Sequence, residues 1–139
     1  MGQKNFADLA QLAKLFRSQH VAELAPPSSP TLKQFLDTLG PVWQQGLLAD
    51  KVYSGFTSAG TGHGGHESTL LALTNSFQHF GGVIVPPGYT HPDKFADGNP
   101  YGTTHFDQGG TAPVGDVTRN AARVQAERVV RFARAVRNA

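Results

Sequence analysis

Residues 58–66 read Ser-Ala-Gly-Thr-Gly-His-Gly-Gly-His. Gly60, Gly62, Gly64 and Gly65 carry no Cβ, so their N–H groups are free to face a carbonyl-rich ring or a phosphate. Gly60, Gly62 and Gly65 also satisfy the spacing G-x-G-x-x-G. A dinucleotide turn of that kind needs an acidic residue about 20 positions further on to bind the ribose. Nothing acidic lies between Glu67 and Asp93, so an ordinary NAD-binding turn is excluded. His63, His66, Glu67 and His79 are metal-ligating types, but the two loop histidines have no third ligand fixed by spacing, and no metal is expected. Ser58 and Ser68 lie near histidines without a G-x-S-x-G elbow, so a serine nucleophile is not expected either. Histidines that hydrogen-bond a ligand's oxygens suit the pattern better, and a ligand-free flexible loop is the plain alternative. Trp43 is the only tryptophan. It packs in a core or interface, or it walls a flat aromatic pocket.

The elements that must hold this loop are legible around it. Lys51 to Thr57 alternates as a first strand, with Val52, Ser54 and Phe56 on one side and Tyr53, Gly55 and Thr57 on the other. A helix opens near Glu67, with Leu70, Leu73, Thr74 and Phe77 facing inward. Gly82 to Pro86 is a short apolar run typical of a buried parallel strand. Upstream, residues 5 to 24 look helical, and Ala25 to Pro30 is a proline break. A helix capped by Thr31 carries Leu32, Phe35, Leu36 and Leu39 inward and ends at Gly40-Pro41. Residues 87 to 115 read as one long loop. The order predicts an α/β fold with a parallel sheet and helices on its faces. Two parallel strands cannot stand alone, so the first 30 residues or another chain must complete the sheet.

The last segment predicts a helix capped by Asp116, with an apolar stripe of Ala122, Ala126, Val129, Ala133 and Val136. Glu127 is placed to pair with Arg123 and Arg131. Its arginines read as a solvated face, and nucleic-acid binding is not expected. The 139 residues fit one domain, and 39 % hydrophobic residues permit a core. The absence of Cys excludes disulfides, thiolate metal sites and cysteine nucleophiles. No apolar run approaches the roughly 20 residues of a membrane helix. No signal peptide opens the sequence, and MGQKNF has Phe6 where a myristoylation signal wants Ser or Thr. A cytoplasmic protein without membrane contact is expected.

Four segments together carry a family likeness: LKQFLDTLGPVWQQGLL, TSAGTGHGGHEST, FQHFGGVIVPPGY and GNPYG, in that order. From about Leu32 onward the chain resembles the C-terminal part of WrbA-like flavodoxin-fold proteins, the FMN-dependent NAD(P)H:quinone oxidoreductases. The resemblance implies an incomplete flavodoxin-like three-layer fold. Residues 31–139 would be the C-terminal part of that domain, and residues 1–30 a divergent helical segment and proline-rich linker. In such proteins a strand and a Ser/Thr-rich loop hold the FMN phosphate, followed by a second flavin loop, P-T-R-aromatic-G-N. The first pair has no counterpart here, and ELAPPSSP stands in place of the second.

The resemblance further implies that Ser58, Ala59, Gly60, Thr61, Gly62, His63 and Gly64 wrap the flavin ring, their N–H groups on its polar edge. Negative charge collects on that edge when the ring is reduced, so donors there favour reduction. It places His79 over the flavin pocket and Trp43 beside the flat substrate, as the catalytic pair. Hydride would pass from NAD(P)H to FMN and then to a quinone, a two-electron ping-pong reduction. A homo-oligomer, a tetramer in the family, would build its pockets from neighbouring chains. The alternative of a different class is a truncated flavodoxin-like remnant without catalysis that serves as an oligomerisation partner.

Overall fold

The computed structural model describes residues 30–138. The helix expected over residues 5 to 24 and the break at residues 25 to 29 lie outside them. Helix α1 (Pro30–Thr38) half-buries Leu32, Phe35 and Leu36, as its spacing predicts. It starts before the expected Thr31 cap, and Gly40-Pro41 does not end the helical region. Pro41 instead lies in the first turn of a short α2 (Gly40–Gln44), where a missing N–H costs nothing.

Strands β1 (Val52–Tyr53) and β2 (Phe56–Ala59) replace the single strand expected over Lys51 to Thr57. The chain then runs through α3 (His66–His79), β3 (Val83–Ile84), α4 (Pro92–Asp97), β4 (Thr103–Phe106) and α5 (Asp116–Arg137). Both sheets are parallel pairs. Val52 lies opposite Val83 in β1–β3, and Phe56 to Ala59 lie opposite Thr103 to Phe106 in β2–β4. The neighbour of one extended segment therefore changes at Ser54–Gly55, which is why one expected strand becomes two.

The change of neighbour leaves a seam, and Gln125 of α5 closes it. Its Oε1 accepts from the Thr103 N–H at 2.7 Å and from Thr103 Oγ1 at 2.7 Å. Its Nε2 donates to Ser54 Oγ at 2.7 Å and to the Gly55 carbonyl at 2.6 Å. One buried amide thus stands between two backbone groups that have no ladder bond to each other.

Helices cover both sheet faces. On one side Tyr53 stacks on Phe77 of α3 at 4.8 Å, and Leu70 and Leu73 lie against Gly55. On the other, α5 reaches Ser54 through Gln125. The chain is α/β, with helices above and below short parallel strands, as an incomplete flavodoxin-like three-layer fold requires. Close approach demands glycine twice: a Cβ at Gly82 would enter the Tyr53 ring, and one at Gly102 would meet the Gly55 carbonyl and Leu70.

The stretch expected as one loop, 87 to 115, holds α4 and β4. Lys94 of α4 is fully buried, ion-paired with Asp97 and donating to the Gly102 carbonyl at 3.1 Å. This ties α4 to the start of β4. The inward face of α5 is also rotated from the expected stripe. Ala121, Val124 and Gln125 are buried, while Ala122 and Ala126 are exposed. Gln125 wins a core position because the seam needs its amide. Gly115, not Asp116, is the cap residue; Asp116 begins the helix and pairs with Arg119. Glu127 pairs with Arg123 as expected. No helix of the described residues is long and apolar enough to cross a membrane.

Candidate functional site

Strand β2 ends at Ala59, and the glycine loop begins at its carboxyl end, where open α/β sheets bind ligands. The loop turns on itself once, through the Gly64 N–H to the Thr61 carbonyl at 3.0 Å. Gly65 then takes a left-handed φ of 85° and launches α3 at His66. Among the described residues, the N–H groups of Gly60, Thr61, Gly62 and His63 donate to no protein acceptor. A Cβ at Gly62 would meet nothing within 4 Å, whereas one at Gly64 would lie 2.9 Å from Ala59 Cβ. The loop is therefore packed underneath and open above, with a row of free donors. His63 is exposed. His66 is buried, its Nε2 3.3 Å from the His105 carbonyl oxygen, so it is a wall of the loop and not a free ligand.

A second turn borders the loop. Asp107, just beyond β4, accepts from Ser58 Oγ at 2.6 Å and from the Gly109 and Gly110 N–H groups at 2.9 and 3.3 Å. A Cβ on Gly60 would sit 3.4 Å from the Gly109 nitrogen. Asp107 lies within the stretch expected as one loop, 87 to 115. The signal that could have found it is the Asp-Gln-Gly-Gly spacing, in which a carboxylate meets glycine N–H groups two and three residues on.

The Ser58 hydroxyl is the chief reason that the Asp107 carboxyl titrates below its ordinary value of 3.8. The Gly110 and Gly109 N–H groups and the charge of His105 act in the same direction, against desolvation. The contribution of a lowered carboxyl is fully present above the ordinary value and is lost as pH falls through the lowered one. A carboxyl NMR titration should accordingly give Asp107 a midpoint below 3.8, and Ser58→Ala should raise it. An unmoved midpoint in the variant would remove Ser58 as the cause.

Trp43 and His79 meet each other, away from this loop. The Trp43 Nε1–H donates to the His79 carbonyl at 2.8 Å. With Leu36, Asp37, Gly40 and Phe80 they line a shallow pocket of about 240 Å³. Helix α3 has 14 residues, with His66 at one end and His79 at the other. At 1.5 Å per residue it separates the Trp43–His79 pocket from the glycine loop by about 20 Å. The expected site residues thus form two groups in one chain: Ser58, Ala59, Gly60, Thr61, Gly62, His63 and Gly64 at one end of α3, and Trp43 and His79 at the other. Among the described residues, no three His, Asp or Glu side chains converge on a metal position.

No family model matches the chain. Individual proteins do. The chain is similar to proteins named NAD(P)H dehydrogenase (quinone). One from Deinococcus radiodurans is 44 % identical over 92 aligned positions, covering 60 % of this chain and 46 % of that protein. One from Sinorhizobium fredii is 38 % identical over 108, covering 73 % and 54 %. One from Methylocella silvestris is 37 % identical over 111, covering 76 % and 56 %. The chain spans about half the length of the curated relatives it matches.

Proposed function

We propose that the chain acts as an FMN-dependent NAD(P)H:quinone oxidoreductase of the WrbA-like type, reducing quinones by two electrons in a ping-pong cycle. We place it in the cytoplasm, as a homo-oligomer. The observation that carries this reading is the row of free N–H groups at Gly60, Thr61, Gly62 and His63 beyond a parallel strand. Similarity to proteins named NAD(P)H dehydrogenase (quinone) supports it.

The donor set fits the polar edge of a flavin ring: four backbone N–H groups, no Cβ at Gly62 to block approach, and no competing acceptor. When bound, FMN supplies a carrier that takes hydride from NAD(P)H and passes it to a quinone. This chain's residues do the rest. Gly60, Thr61, Gly62 and His63 would donate to the ring edge where charge gathers, from a loop whose first residue, Ser58, is tied to Asp107. Ala59 and Gly64 pack the loop from below. Trp43 offers an aromatic wall for a flat quinone, and His79, whose carbonyl holds the indole, closes that wall. Since α3 keeps the two groups about 20 Å apart, the Trp43–His79 wall of one copy serves the loop of another.

The test is a visible spectrum after FMN is added and unbound flavin removed, followed by turnover with NAD(P)H and benzoquinone. The expected result is retained flavin, close to one per chain, with quinone-dependent NAD(P)H oxidation. Gly62→Val should lose flavin without losing fold, since a Cβ there meets nothing within 4 Å. His79→Ala keeps the carbonyl that holds Trp43 and removes the imidazole from the pocket, so it should keep flavin and lower quinone turnover. A colourless wild-type protein would favour the non-catalytic oligomerisation partner instead.

A further inference from the structure

Every ladder contact of residues 51–59 falls on one edge. The Lys51 carbonyl accepts from Val83, the Tyr53 carbonyl from Val85, and the Ala59 carbonyl from Asp107. The Gly55 carbonyl, between them, accepts from Gln125. All are odd-numbered. Backbone N–H and C=O groups alternate sides along an extended strand, so those of Val52, Ser54, Phe56 and Ser58 face the other edge. Among the described residues none of these four has a backbone hydrogen-bond partner. Phe56 is 57 % exposed beside them. Among the described residues, α3 packs on β2 and β3 and α5 on β1 and β4, and no strand pairs with this edge.

The edge lacks the charges and prolines that commonly keep sheets apart. Residues 52–59 contain no charge, no proline and no lysine. We propose that this edge pairs antiparallel with the same edge of a second copy, about a two-fold axis through Gly55. The register follows from the open positions. With Gly55 opposite Gly55, Val52 lies opposite Ser58 and Ser54 opposite Phe56. All four open residues of each copy then become hydrogen-bonded pairs, and each Phe56 faces a small Ser54. An identical strand meets every open group in this register and brings no like charges together. That self-complementarity is why a second copy, and not an unrelated strand, is the occupant. The inference stands on the sheet alone and is independent of flavin binding.

Amide hydrogen exchange on the full chain tests it directly. The Ser54, Phe56 and Ser58 amides have no partner among the described residues, yet should exchange roughly 100-fold or more slower than in an unstructured peptide. Their exchange should speed up on dilution, as a dimer requires. Phe56→Pro removes one outward N–H and leaves the inner ladder intact, as edge positions allow. It should release Ser54 and Ser58 while Tyr53, Thr57 and Ala59 stay protected. Phe56→Lys, which keeps the backbone, should weaken the same protection if the proline variant does not fold. Mixed labelled and unlabelled chains should show an Hα–Hα contact between Tyr53 of one copy and Thr57 of the other. Fast exchange at the even positions beside slow exchange at the odd ones would overturn the proposal. So would protection that does not change with concentration.

Discussion

Gln125→Leu should destabilise the protein by roughly 3–5 kcal/mol, read as a drop in the urea midpoint at unchanged m. The leucine is close to the amide in size, so packing is not what it removes. It strands the Thr103 N–H and the Gly55 carbonyl, two buried backbone groups that Gln125 now bridges. Each such group costs about 1–3 kcal/mol when left unpaired. Gln125→Glu sharpens the assignment. It keeps an acceptor for Thr103 and loses the donors to Ser54 and Gly55. Burial raises the pKa of the introduced carboxyl, so the folded state binds the extra proton more readily than the unfolded chain. The loss should therefore be large at neutral pH and shrink as pH falls through that raised value. A Gln125→Leu protein within 1 kcal/mol of wild type would mean that the seam is closed by other means.

Lys94→Ala should cost about 3–5 kcal/mol, because it leaves Asp97 buried without its cation. The Asp97 side chain is 2 % exposed and has no solvent to turn to. The same change frees the Gly102 carbonyl, whose position sets the start of β4. The double variant Lys94→Met with Asp97→Leu separates pair from packing. Removing both charges in favour of apolar groups of similar volume is often close to neutral, so it should recover most of the loss. The readout is thermal or urea unfolding of the wild type and the two variants. Equal losses in single and double variants would mean that α4 depends on the side-chain shapes and not on the ion pair.

The parts of the fold that could be read in advance are those with strong periodicity. Leu70 and Phe77 mark the inward face of α3 in both sequence and structure. The apolar run does pair as parallel β3, but of its strand Val83 is exposed and Ile84 half-buried, and only Val85 at its end is buried. What escaped reading was decided by contacts distant in sequence. Strand β4 is Thr-Thr-His-Phe, too short and too polar to show alternation, and it exists because β2 lies beside it. Helix α4 is six residues long and is held by a buried lysine, a residue type that patterning assigns to solvent. Gln125 is absent from the expected inward stripe for the same reason: nothing local says that an amide belongs in the core. The glycine loop was legible as a loop of free donors. Its neighbour Asp107 was not, because their proximity arises only when β2 and β4 pair.

The seam also has a consequence in time. Gln125 lies 70 residues beyond Gly55, while the strands it joins are themselves far apart in sequence. Neither half of the sheet finds its last backbone partner until α5 docks, so closure waits on a long-range encounter and not on local helix or hairpin formation. Until then the chain holds an unpaired Gly55 carbonyl, an unpaired Thr103 N–H and an uncharged strand edge in the same few residues. A slow final docking step with a sticky, half-built sheet is the kinetic signature of such an arrangement, and crowded nascent chains would meet one another through that sheet first.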